Sequence, residues 1–176
     1  YRNVWLTVVN PVHVTNSGVF VSTPTVSSSS AAVSVSTEVQ NQSTASQSVT
    51  ITTTISDPSG LSVATNTSPA SDIAANATAT ISQSLTVSNP QLWSTTSPNR
   101  YQVKVELKTG SATLDTYLAP LGIRTAAFSA TSGFSLNGES TKLRGVCMHH
   151  DLGALGSAVS YRAIERQVEI LRAMGV

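Results

Sequence analysis

The chain is short of charge, of cysteine and of long apolar runs. Charged residues make up 11% of its 176 residues, and the formal net charge is +1. No Lys or Arg occurs between Arg2 and Arg100, and the acids of that stretch are Glu38, Asp57 and Asp72. Without a basic patch, nucleic acid and an anionic membrane surface are poor partners. No run of about 18 apolar residues occurs, so no membrane-spanning helix is expected. Cys147 is the one cysteine, which excludes an internal disulfide. Aromatic residues are only 5% of the chain, and its apolar faces rest on Val and Ile, which pack well on a pleated surface.

Hydroxyls stand where charges are missing. Ser and Thr together are roughly three residues in ten, and they carry the solubility of the first two thirds. The last third, with Lys142, Arg144, Asp151, Arg162, Glu165, Arg166, Glu169 and Arg172, has an ordinary globular mixture. This shift divides the chain into two structural units. The length accommodates a β-sandwich of about 100 residues and falls short of the about 250 of a complete parallel α/β barrel. The Lys-poor, hydroxyl-rich surface leans toward an exported protein, periplasmic or extracellular. Tyr1 is not a natural start, which leaves room for a leader removed in processing. Asn41-Gln-Ser43, Asn66-Thr-Ser68 and Asn76-Ala-Thr78 fit the glycosylation acceptor pattern, which arises readily by chance in so hydroxyl-rich a chain.

In residues 1–14, Val4, Leu6 and Val8 alternate with Trp5, Thr7 and Val9 as in a strand. We expect the last strand of a preceding domain here, with Asn10-Pro11 opening a linker. Residues 15–125 read as all-β. Val33, Val35, Thr37 and Val39 share one face, as do Val49, Ile51, Thr53 and Ile55. Ala77, Ala79, Ile81, Leu85 and Val87 give a third strand, with Gln83 its one polar interruption, and Val103, Val105 and Leu107 a fourth. Val19–Ser22, Leu61–Thr65 and Thr113–Leu118 are shorter candidates, and Ser27–Ser30 is a polar loop. Turn signals at Asp57-Pro-Ser-Gly60, Asn89-Pro90, Ser97-Pro98-Asn99 and Thr109-Gly110 separate the strands. About seven short strands with regular turns predict an immunoglobulin-like β-sandwich.

From residue 126 the pattern changes. Phe134-Ser-Leu136 and Lys142-Leu143 flank Asn137-Gly138, a strong hairpin signal because both turn positions favour positive φ. Leu143–Met148 is mostly apolar, as expected of a strand covered on both faces. Residues about 160–174 are helical. Ser160 is the N-cap, Ile164, Val168 and Leu171 form a stripe, and Gly175 stands at the C-terminal cap. Together these make a hairpin followed by one βα unit, with His149, His150 and Asp151 at the strand's C-terminal tip. That is where a parallel barrel builds its active site.

These residues carry a family resemblance. Gly122-Ile-Arg-Thr125, Phe134-x-Leu-Asn-Gly138, Leu143-Arg-Gly-Val146, His149 and the helix through Met174-Gly175 are similar to the start of the catalytic barrel in glycoside hydrolase family 2. That family includes β-galactosidases, β-glucuronidases and β-mannosidases. Asn89-Pro-Gln-Leu-Trp93, followed by Pro98 and Tyr101, resembles a motif of its immunoglobulin-like domain. Tyr1-Arg-x-Val-Trp-Leu6 resembles the closing strand of its N-terminal sugar-binding-like sandwich. Cys147-Met-His-His-Asp151, with Gly153-Ala-Leu-Gly156, looks most like the β-galactosidase-type members. Other members more often have Asn and Arg at the positions of Cys147 and Met148 and an acid at that of His150.

The resemblance implies the order sandwich end (1–14), immunoglobulin-like sandwich (15–125) and truncated (β/α)8 barrel start (126–176). It implies a retaining exo-β-glycosidase that hydrolyses non-reducing-end β-sugars, with a carbohydrate substrate and no cofactor. Two glutamates about 5–5.5 Å apart would act as acid/base and nucleophile. In the family they follow later barrel strands, and none of the acids here occupies those positions. The chain by itself is therefore expected to be inactive and to hold no catalytic residue. A β-glucuronidase or β-mannosidase is the alternative within the family. A non-catalytic exported adhesion or carbohydrate-binding module is the alternative outside it. No feature fixes an oligomeric state.

His149 matches the family histidine that contacts sugar hydroxyls, a role suited to a neutral imidazole that both donates and accepts. Asp151 is the second candidate substrate contact, accepting from a sugar hydroxyl or orienting His149. Alternation sends His150 to the opposite side. A metal held by Cys147, His149 and Asp151 is set aside, because ligands spaced two apart on one strand diverge. Cys147 reads as a small buried hydrophobe. Arg144 is expected to pair with an acid inside the barrel, and Trp93 and Tyr101 to be core and corner residues of the sandwich.

Overall fold

A computed structural model describes residues 4–149 and 151–176. Eight strands come first: β1 (Val12–Val26), β2 (Ser30–Asn41), β3 (Gln47–Ser56), β4 (Ser62–Thr67), β5 (Ser71–Ile73), β6 (Thr78–Ser88), β7 (Tyr101–Thr109) and β8 (Ala112–Leu121). Short strands β9 (Ala126–Ser129), β10 (Gly133–Leu136) and β11 (Glu139–Ser140) follow, and helix α1 (Tyr161–Ala173) comes last. All the pairings are antiparallel. One sheet runs β1-β2-β6 and the other β4-β3-β7-β8, with β5 also on β3. β5 pairs with β3 along Gln47–Val49 and β4 along Thr52–Ser56.

The alternation read from the sequence is the alternation of burial. Val33, Val35 and Val39 of β2 and Val87 of β6 meet Val49, Ile51 and Ile55 of β3 and Val103, Val105 and Leu107 of β7 in one core. Each fully buried side chain of this kind contributes about 1.5–3 kcal/mol. Gln83 is accounted for by its partners. It accepts from Thr53 Oγ1 at 2.6 Å and donates to the carbonyls of Ile51 at 3.2 Å and Asn66 at 3.1 Å. Tyr101 is the corner residue, and its Oη accepts the backbone N–H of Gln91 at 2.8 Å. Asn41 is fully buried and donates to the carbonyls of Ala45, Ile73 and Ala74. It is a structural amide and no acceptor for a glycan.

β1 holds a surprise of register. It is 15 residues long, yet only Val19–Ser22 stood out as a strand, because pairing with β2 shifts between Val14 and Val19 and again between Ser22 and Thr25. Gly18 sits in the first shift. A Cβ there would run into the Thr15 hydroxyl and lie 2.8 Å from the Thr15 carbonyl. β1 also starts at Val12 rather than near residue 15, with Val12 and Val14 in the core.

Two expected strands do not form. Val4, Trp5, Leu6 and Val8 are exposed, and residues 4–10 have no regular structure. Leu143–Met148, read as a buried barrel strand, likewise has none, and Leu143, Val146 and Met148 stand in solvent. Cys147, read as buried, is exposed. The reason is common to both segments. A strand takes its hydrogen bonds from a neighbour, and no described strand lies beside either one. The described sheets do not close into a barrel.

The hairpin turn is as read, with Asn137 at φ 52° and Gly138 at φ 83°. Its second arm is Glu139–Ser140 rather than Lys142–Leu143, and β9 joins on the other side to give β11-β10-β9. The helix also forms where expected. The Ser160 hydroxyl caps it by accepting the Ala163 N–H at 3.4 Å, and Gly175 follows at φ 84°. No residue of α1 is buried.

Candidate functional site

His149 and Asp151 lie on the irregular stretch that leaves the hairpin, and both are exposed. His150 lies outside the described residues. Among the described residues, no further polar groups join His149 and Asp151 in a cleft. Among the described residues no cluster of three His, Cys, Asp or Glu side chains is placed to hold a metal. Arg144 is exposed as well and forms no ion pair among the described residues.

What the structure does build is the mount for this stretch. Gly122–Thr125 connects β8 to β9 and packs beside the loop 89–99. The Trp93 N–H donates to the Ile123 carbonyl at 2.8 Å. The Arg124 guanidinium lies over the Trp93 ring at 5.1 Å and donates to the Gly122 carbonyl at 3.1 Å, a cation–π contact. A side chain at Gly122 would be tight: a Cβ would lie 3.0 Å from Arg124 Nη1 and 3.1 Å from Trp93 Cγ, so these groups would have to shift slightly. Trp93, expected in the sandwich core, is half-buried at this junction instead.

Asn137 completes the mount from the hairpin side. Its N–H donates to the Thr125 carbonyl at 2.9 Å, its Oδ1 accepts the Thr125 N–H at 3.0 Å, and its Nδ2 donates to the Trp93 carbonyl at 3.0 Å. Beside it Leu136 is buried. The sequence shows Asn137 only as a turn former. No sequence signal marks its side-chain role, since Asn-Gly is the ordinary pair for such a turn. An open groove of about 420 Å³ lies elsewhere, lined by Asp57, Arg100, Gln102, Leu118 and Pro120 among others.

Comparison with known proteins bears on what this arrangement belongs to. The model of the family described as glycosyl hydrolases family 2 matches residues 12–124, that is, β1 to β8 and the connector through Arg124. The chain belongs to glycosyl hydrolase family 2. A β-galactosidase of Bacteroides ovatus is 41% identical over 175 residues, covering 99% of this chain and 20% of that protein. A β-glucuronidase of Formosa agariphila is 35% identical over 153 residues, covering 82% of this chain and 16% of that protein. Among solved structures, a family 2 member from Bacteroides cellulosilyticus superposes with a TM-score of 0.89 at 37% identity, over 95% of this chain and 23% of that one. A β-glucuronidase of Bacteroides uniformis gives a TM-score of 0.88 at 30% identity, over 96% of this chain and 21% of that one. The family 2 chain thus spans a fifth or less of the length of these two curated relatives.

Proposed function

We propose that this chain is a segment of an exported, retaining exo-β-glycosidase that releases non-reducing-end β-galactosyl residues. The observation that carries the reading is the 41% identity to a β-galactosidase over 99% of the chain. In this reading residues 15–125 are an immunoglobulin-like domain, a view supported by the Tyr101 corner. Residues 1–14 close a preceding sugar-binding-like sandwich, and residues 126–176 begin the catalytic barrel. Leu143–Met148 becomes a strand only beside the barrel's other strands, which brings His149 to the glycone. Its imidazole then donates to one sugar hydroxyl and accepts from another, and Asp151 accepts from a third.

The reaction needs two carboxyl groups about 5–5.5 Å apart across the sugar. The chain's own helical pair does not serve. Arg162 holds Glu165 at 2.9 Å and Glu169 at 3.0 Å on an exposed helix face. In this reading the acid/base and the nucleophile are supplied by segments other than this one. A second reading, β-glucuronidase, is favoured by the Formosa agariphila and Bacteroides uniformis relatives.

The test compares nitrophenyl β-galactoside, β-glucuronide and β-mannoside with the complete polypeptide that contains this segment. Turnover is expected to be fastest on the galactoside, and the 176-residue chain alone should release no nitrophenol. Preference for the glucuronide installs the second reading. Sugar binding without any hydrolysis would leave a non-catalytic module, and turnover by the isolated chain would sink the assignment of the catalyst to other segments.

A further inference from the structure

We infer that Asn137 is a positioning residue, which clamps the hairpin to the sandwich and so aims the stretch that ends at His149. Three segments meet on this one side chain and its N–H: the loop at Trp93, 44 residues away, the connector at Thr125 and the turn itself. The amide uses both of its ends, as acceptor toward Thr125 and as donor toward Trp93. Neither Asp nor Gly reproduces that pair of contacts, since a carboxylate only accepts and Gly has no side chain. The partners are themselves fixed. Trp93 is held by Ile123, stacked under Arg124 and pressed against Gly122. Thr23 Oγ1 of β1 donates to the Arg124 carbonyl at 3.3 Å. The clamp therefore joins the hairpin to a rigid base. From the hairpin the chain runs without a further sheet contact to His149, so the hairpin's orientation sets where that histidine begins its approach.

The aiming of His149 rests on the proposed glycosidase reading, whereas the clamp itself does not, and two measurements keep them apart. The first is amide hydrogen exchange on the full chain. Asn137→Gly keeps the positive φ and removes only the side-chain amide. The Thr125 amide, which loses its acceptor, should exchange about tenfold faster or more, while β2 and β3 amides keep their protection. In Asn137→Asp the carboxylate still accepts the Thr125 N–H, so Thr125 should keep its protection and only the donation to the Trp93 carbonyl is lost. Unchanged Thr125 exchange in Asn137→Gly overturns the clamp.

The second measurement is a double-mutant cycle in the complete enzyme with nitrophenyl β-galactoside. His149→Ala should raise KM, and it should raise KM by a smaller factor in the Asn137→Gly background, because the histidine is then already misplaced. Multiplicative effects overturn the aiming. An unsubstituted enzyme inactive on all three β-glycosides sinks the functional reading and the aiming with it, while the exchange result still decides the clamp.

Discussion

Thr37 and Gln83 face the same interior from paired strands and fare differently. Gln83 spends its whole amide on Thr53, Ile51 and Asn66. Thr37 is fully buried, and its hydroxyl has no hydrogen-bond partner among the described residues. Alternation in the sequence puts both side chains inside but is silent on partners, because a partner comes from another strand. A buried hydroxyl without a bond costs free energy that an apolar group of the same shape does not. Thr37→Val should therefore raise stability by about 1 kcal/mol, measured by urea denaturation. Asn137 was half legible in the same way. Its backbone task in the turn showed in the Asn-Gly pair, and its side-chain task did not, since Trp93 lies far off in sequence.

At the scale of elements, what the sequence showed depended on whether an element carries its own partners. α1 does: its cap, its stripe and its glycine stop are all local, and it forms where expected. The long sandwich strands also read clearly, because each pairs with a neighbour within the chain and the alternation follows burial. β5, three residues long, has too short a pattern to register. β1 reads as shorter than it is because its bulges break the alternation. Leu143–Met148 shows the converse. Its apolar run states a demand for cover and cannot name what supplies it.

The turn between β3 and β4 was legible as Asp-Pro-Ser-Gly, and it offers a pH test. The Ser59 hydroxyl, bonded to Asp57 Oδ1 at 2.6 Å, is the main reason the carboxyl is held below its ordinary value of 3.8, with backbone N–H groups of Leu61 and Ser59 assisting. A carboxyl depressed in the folded chain stabilises above its unfolded pKa, and that contribution is lost as pH falls through the folded value. Asp57→Asn should thus lower Tm near pH 7, and the gap should close below about pH 4 in a pH series of thermal melts.

For the whole molecule, the alternation of the first two thirds reads as β structure and the last third as something different, and the chain is mainly β with one helix at its C-terminal end. The candidate site was legible only as residues. His149 and Asp151 could be named, and the described residues build no cleft around them.

The missing charges have a bearing on salt. Among the described residues, β1 to β6 hold no ion pair; the pairs lie on β7, where Glu106 meets Lys104 and Lys108, and on α1. Exposed pairs of this kind contribute little, and a net charge of +1 leaves little self-repulsion to relieve. Screening therefore has almost nothing to act on, whereas exclusion of sulfate from the surface strengthens burial. Melting in sodium chloride should stay nearly level from dilute buffer to about 0.5 M, while sodium sulfate at equal ionic strength should raise it. The sandwich answers to which ion is present and hardly to how much charge the solution carries.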